Sequence, residues 1–494
     1  MENALKAFTV IVVIIIMAAA ISMLPQQTDN FVGQGSDVET ATFIVYKDDN
    51  WTCVKNGTTN KIILRSENST SIFQQTLDLS GGSIFITKGN YEMNYPVLVP
   101  SNVTIRGEGI LSHVIWTVTT AAGFNLRNGA VNTTFDGLYV EGVGKDIGET
   151  SGIIGSMNSF ITVQNCYFSA WSGDPVLFGG PYASNILITK NYFWDCDEGP
   201  ELTGVSNSAI TNNVVDSVTS QGIEIAEKQI TILNPAPVPS SNILVANNII
   251  SNIPGRSGQT GWGLFIQGHN YAISIVNNVV YDAEYGFGTA AVGGRIVDGA
   301  IVSGNSFDSI EKSGIYIAYG KNFLLNGNLI NSTGSTGIAI ALSVQNVTIQ
   351  NNLVHKTINA GAAGIEVAAT VVNCIISGNT ISYTKGVGIR VNCPNAMINS
   401  NMLLATGSYG FYINAASNST LNGNVVRSAT TIACYINNAK NVTVFGNALH
   451  STNQGIQTAG TSDYNYIAFN NFKGCITPTY LAGSNNIVEN NTGA

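Results

Sequence analysis

Charge is scarce in this sequence: Asp, Glu, Lys and Arg together make up 10% of 494 residues. The 21 basic residues form no run, and the net charge is −9. That excludes the basic footprint needed to hold nucleic acid or an anionic membrane surface. Histidine is nearly absent, and His113, His269, His355 and His450 are too dispersed to make a zinc site. The seven cysteines include no C-x-x-C pair, and Cys166 and Cys196 sit at different offsets in consecutive repeats. They read as small buried apolar residues and not as a disulfide framework. Room for helices is missing too. Over most of the chain the apolar runs are short, β-branched and closely spaced, which leaves no window of about 10–12 residues at helical period.

What fills the chain is a repeated phrase, cleanest at Asn346-Val-Thr-Ile-Gln-Asn-Asn352. A polar residue opens three strand-forming residues, and a second Asn closes the phrase six positions later. The closing residues are Asn165, Asn191, Asn213, Asn248, Asn278, Asn305, Asn328, Asn352, Asn379, Asn401, Asn424, Asn447, Asn471 and Asn491. Most gaps between them are 20 to 27 residues, a period that signals a solenoid. Between closing asparagines come a short apolar stretch and a Gly-led strand such as Gly364-Ile-Glu-Val367, then the next phrase. That makes three short strands per turn. Asparagine tolerates the left-handed backbone of a sharp turn, and stacked amides can hydrogen-bond along a column. The closing asparagines are therefore expected to be a structural ladder.

With these repeats, the chain from about Ser71 onward resembles the right-handed parallel β-helix superfamily of pectate lyases and polygalacturonases. The resemblance implies an all-β solenoid, a capping helix at its entry, and a substrate groove on the first sheet. Ser71–Leu79, with apolar positions 72, 73, 76/77 and 79, reads as that helix, capped by Ser71. Before it, residues 41–70 form a small β segment, with a hairpin over Thr42–Leu64 turning at Asn56-Gly57. Residues 25–40 read as a linker, and residues 1–24 as a signal peptide or membrane anchor, with the apolar run at Ala7–Leu24. Either role places the protein outside the cytoplasm, secreted or anchored, touching the membrane only through this segment. Of the N-x-S/T triplets, Asn50, Asn56 and Asn68 fall outside the repeated phrase and are the glycosylation candidates.

Strand alternation points the third residue of each Gly-led quartet outward. Aligning the repeats gives a column: Glu201, Glu224, Phe265, Gly288, Tyr316, Ala339, Glu366, Arg390, Tyr412, Tyr435 and Gln457. Glu201 and Glu224 should be neighbours, a like-charge contact that raises one pKa or attracts a cation. Asp195, Asp197 and Glu198 lie in the turn that enters the Glu201 strand. Two long insertions, Ala226–Ser241 with Glu227 and Lys228 and Ser251–Trp262 with Arg256, rim the same place. Trp171, Trp194 and Trp262 fall in these coils, where sugar rings could stack. Glu366 and Arg390 read as a cross-strand ion pair.

The resemblance implies a polysaccharide or cell-surface glycan as partner, most plausibly through pectate-lyase-like β-elimination. In that scheme Asp195, Asp197, Glu198, Glu201 and Glu224 would hold Ca2+ against a uronate. Lys228 or Arg256 would serve the abstracted proton, with Glu201 and Glu224 as further catalytic groups. Trp194, Trp262, Phe265 and Tyr316 would line the substrate. A glycosidase using two of the carboxylates is the other enzymatic expectation. The polygalacturonase-like set of paired aspartates, His-Gly and Arg-x-Lys is absent, as is the Asp-Pro-His-Asp signature of alginate epimerases. A non-catalytic surface adhesin, stalk or filament protein is the alternative.

Overall fold

The computed structural model describes residues 41–79, 82–119, 122–148, 150–228, 236–256, 258–450, 452–483 and 485–493. The expected leader or anchor and the linker lie outside these residues, as does the centre of the first insertion. The fold is an all-β, right-handed parallel β-solenoid. Its residues gather into two compact units, one comprising Met1–Phe178, Tyr182–Asp197 and Ala209–Val215, the other Gly179–Pro181, Glu198–Ser208 and Asp216–Ala494.

The first unit begins with three antiparallel strands, Phe43–Asp48, Trp51–Asn56 and Ile62–Ser66, so the expected single hairpin is a three-stranded meander. Phe43–Asp48 also pairs in parallel with Gly82–Ile86, which carries the solenoid's hydrogen bonding across the boundary expected at residue 70. The one helix among the described residues is Ser69–Asp78. Its N-cap is Asn68, not Ser71: the Asn68 side chain accepts a hydrogen bond from the Ser71 backbone N–H at 3.0 Å. Ile72, Phe73, Thr76 and Leu77 form its buried face, and the Phe73 ring meets the edge of Tyr91 at 5.5 Å. The helix thus covers apolar core that a bare solenoid end would expose. Deeper in the unit, Trp116 packs on Phe124 and Trp171 at 4.9 and 5.9 Å.

In the second unit each coil contributes three strands, and equivalent strands stack in register. Ile315, Ile338, Ile365 and Ile389 make one inward column on the first sheet, flanked by another of Ile317, Ile340, Val367 and Val391. All eight are essentially sealed from solvent, and burying each stabilises the fold by roughly 1.5–3 kcal/mol. The leading glycines are a packing requirement. At Gly364 a Cβ would sit 2.4 Å from Ile381 and 2.8 Å from the Gly388 carbonyl.

Ladder asparagines stand buried between the second and third strands of each coil. Asn352 is representative: its N–H and its side-chain amide both donate to Asn379 Oδ1, at 2.9 and 3.0 Å, and the amide also donates to the Leu325 carbonyl. Bonds of this kind link Asn248, Asn278, Asn305, Asn328, Asn352, Asn379, Asn401, Asn424, Asn447, Asn470 and Asn491. In the first unit Asn191 bonds Asn213 likewise. Two expected members are displaced by one residue. Cys166, not Asn165, donates its N–H to Asn191, and Asn470, not Asn471, carries the ladder. The left-handed turn also belongs to the residue before the ladder Asn: Asn247, Asn277, Asn351 and Ser400 all have φ between 55° and 57°.

Candidate functional site

The outward column of the first sheet is present throughout the second unit. Glu201 pairs with Glu224, Glu224 with Phe265, Phe265 with Gly288 and Gly288 with Tyr316. Ala339, Glu366, Arg390, Tyr412, Tyr435 and Gln457 follow one rung at a time. Arg390 Nη1 donates to Glu366 Oε1 at 3.1 Å, the expected cross-strand pair.

Burial departs from expectation at the acidic end. Glu224 is only 6% exposed, and Phe265 beside it 8%, whereas Glu201 is half-buried. The Gln267 side chain, two residues beyond Phe265, donates to Glu224 Oε1. Burial, then the charges of Glu201 and Glu198, push the Glu224 carboxyl well above the ordinary carboxylate range. Glu198 itself accepts a hydrogen bond from the buried Ser220 hydroxyl at 3.1 Å. The site therefore holds two stacked carboxyls in unlike environments, one sealed and one half-buried.

Both insertions are anchored near this end. Lys228 exchanges backbone hydrogen bonds with Val238, 2.8 and 3.0 Å, closing the neck of the first. That neck lies against Gly204, just past the Glu201–Thr203 strand: a Cβ on Gly204 would come within 2.8 Å of Lys228 and 3.0 Å of the Val238 carbonyl. Glu227 is fully buried and accepts from Arg295 Nε at 2.8 and 3.0 Å and from the His269 N–H at 2.8 Å. Arg256 is exposed in a tight turn closed by its own backbone bonds to Gln259.

The five acids expected to hold Ca2+ fall in both units. Asp195 belongs to the first unit, where Lys145 Nζ holds it at 2.6 Å, and Asp197 is buried there with its N–H bonded to the Trp171 carbonyl. Glu224 favours its proton. Among the described residues no three His, Cys, Asp or Glu side chains are grouped to hold a metal ion.

The tryptophans separate as well. Trp171 is core, its indole N–H donating to the Val140 carbonyl at 3.1 Å, and Trp194 is exposed on a third strand of its coil, Tyr192–Trp194, off the first sheet. Trp262 does lie on the first sheet. It stacks on Phe265 at 5.0 Å and Tyr285 at 4.3 Å, and its ring fills the space a side chain at Gly288 would need. Tyr285 and Tyr316 continue this pavement at 5.5 Å. Sequence reasoning missed Gln267, Arg295 and Tyr285. Tyr285 had a signal: it pairs in register with Trp262, the residue before the glycine in each strand.

The family description "Right handed beta helix region" matches residues 118–296, 240–367 and 345–472. The chain belongs to this family. Comparison with curated proteins finds no match. Among solved structures, DFA-IIIase from Arthrobacter chlorophenolicus A6 in complex with GF2 is 16% identical, with a TM-score of 0.43, covering 67% of this chain and 88% of that one. A periplasmic alginate epimerase is 13% identical, with a TM-score of 0.43 and coverage of 66% and 77%. The catalytic domain of a GH87 alpha-1,3-glucanase in complex with tetrasaccharides is 15% identical, with a TM-score of 0.48 and coverage of 69% and 63%.

Proposed function

We propose that this β-helix protein cleaves glycosidic bonds of a polysaccharide by acid–base chemistry at Glu201 and Glu224. The observation that carries this reading is the buried Glu224 carboxyl, held well above the ordinary carboxylate range beside the more open Glu201. Two carboxyls whose environments push their pKa values apart supply an acid and a base at one pH. Glu224 donates its proton to the leaving glycosidic oxygen as the bond from the anomeric carbon breaks. Glu201 attacks that carbon as carboxylate, and water then releases the sugar, giving its proton to Glu224. Neighbouring strands lie about 4.8 Å apart, which suits the short carboxyl separation, about 5–5.5 Å, of retaining enzymes. Metal-assisted elimination on a uronate is the other enzymatic reading, and the Ca2+ arms of a substrate screen separate the two.

A screen of purified protein against neutral and acidic polysaccharides, with and without Ca2+, tests this. Turnover should persist in EDTA, retain anomeric configuration by NMR, and fall at least about 1,000-fold in a Glu201→Gln/Glu224→Gln variant. Turnover that survives the double change would reject the site. The non-catalytic alternative has its own support in the half-buried tyrosines of the C-terminal coils. Tyr412 and Tyr435 stack at 5.4 Å and Tyr409 and Tyr435 at 5.0 Å. If saccharide binding is lost with Tyr412→Ala and no turnover is found, the protein is a glycan-binding surface molecule.

A further inference from the structure

Four rungs beyond Glu224 the first sheet carries a trough of about 290 Å3. It exists because the column places a small residue, Ala339, between the larger Tyr316 and Glu366. Tyr316 and Tyr285 form one wall, Thr336 and Ser335 supply hydroxyls, and Lys312 and Glu366 stand at the rim. The volume sits at the lower limit for small-molecule sites, roughly 300 Å3, so it takes a short segment of chain. Aromatic faces next to hydroxyl and charged hydrogen-bonding groups match a sugar ring, which has apolar C–H faces and a polar perimeter.

The rim charges decide which sugar. Lys312 is already bonded to Glu284 and lies 5.1 Å over the Tyr285 ring, while Glu366 is held by Arg390 and by the Thr336 hydroxyl at 3.5 Å. Each charge is balanced by an adjacent partner. A uronate carboxylate would have to share the Lys312 ammonium with Glu284 to gain a cation. Towards Glu224, such a polyanion would next meet Glu201 and Glu198. A neutral sugar needs only the ring faces and the hydroxyls.

We infer that this trough is a binding subsite for a neutral polysaccharide chain running along the first sheet. Four steps of about 4.8 Å put its floor about 19 Å from Glu224. The Trp262, Tyr285 and Tyr316 rings pave the interval. The inference rests on the proposed reading only for the direction of the chain; binding at the trough does not require cleavage.

Calorimetric titration of the Glu201→Gln/Glu224→Gln protein, which leaves the probe uncut, tests it with cello-, malto- and inulin-type tetrasaccharides and with tetragalacturonate. At least one neutral probe should bind, with tetragalacturonate tenfold weaker or more. Ala339→Phe, which fills the floor from an outward strand position, and Tyr316→Ala, which removes a wall, should each weaken neutral binding roughly tenfold. If Ala339→Phe fails to fold, Tyr316→Ala alone decides. The inference is overturned if no neutral probe binds, if tetragalacturonate binds as tightly, or if the folded trough variants bind unchanged. A wild type without turnover would end the cleavage reading and leave these binding results standing.

Discussion

Burial raises the pKa of Glu224 above the ordinary carboxylate range, and that has a consequence for stability. Its folded pKa is raised by burial and then by Glu201 and Glu198, while in the unfolded chain it returns to about 4.3. Between these values the native state holds a proton that the unfolded state has released. Its contribution to stability is therefore complete below about pH 4.3 and is lost as pH rises through the raised folded value. Glu224→Gln keeps the hydrogen bond accepted from Gln267 and removes the titration. Urea denaturation across a pH series should show the variant at least as stable as wild type at neutral pH, with a flatter pH dependence above about pH 4.5. A variant less stable than wild type at neutral pH would mean that Glu224 is ionised in the fold.

At the scale of one coil, the turn divides its labour between two neighbours. Asn351 takes the left-handed backbone at φ 55°, and Asn352 makes the ladder. Asn352 Oδ1 accepts from the N–H and the side-chain amide of Asn328, so Asn352→Leu strands both donors as well as the Leu325 carbonyl. The expected cost is roughly 2–4 kcal/mol in equilibrium denaturation. Asn351→Gly should cost less than about 1 kcal/mol, because glycine accepts that backbone freely. Equal losses at the two positions would refute the division. The ladder was legible because a buried amide column imposes the same residue at a fixed period, and slipped by one only at the Asn-Cys and Asn-Asn doublets of 165–166 and 470–471. The outward column was legible because Gly marks the strand start and alternation does the rest. Burial of Glu224 was not, nor was the Glu227–Arg295 pair. The first turns on Gln267, 43 residues away at the end of the neighbouring first-sheet strand, and the second on Arg295, 68 residues away outside the strands; the repeat fixes where strands stack but not which side chains reach across them.

For the whole molecule, the proposed export would govern which polysaccharides it can meet. The residues that would decide between a cleaved leader and an anchor, Ala7–Leu24, lie outside the described structure, so the proposal of an exported protein rests on their apolar character and on the expected polysaccharide partner. Protease added to intact cells should degrade the β-helix, and full-length protein confined to the cytosolic fraction would count against export. The structure sharpens the glycosylation part of the expectation. Asn56 Oδ1 accepts from the Thr58 and Thr59 N–H groups at 3.1 and 2.9 Å, building its turn, and Asn68 caps the helix. Asn50 stands exposed in the turn between Asp48 and Trp51. A glycan there adds bulk only to solvent, whereas at Asn68 it crowds a helix cap worth about 1 kcal/mol. Peptide mapping of secreted protein should therefore find Asn50 the most fully occupied of the three. Higher occupancy at Asn68 than at Asn50 would show that the sugar is added with no regard to the folded turn and cap.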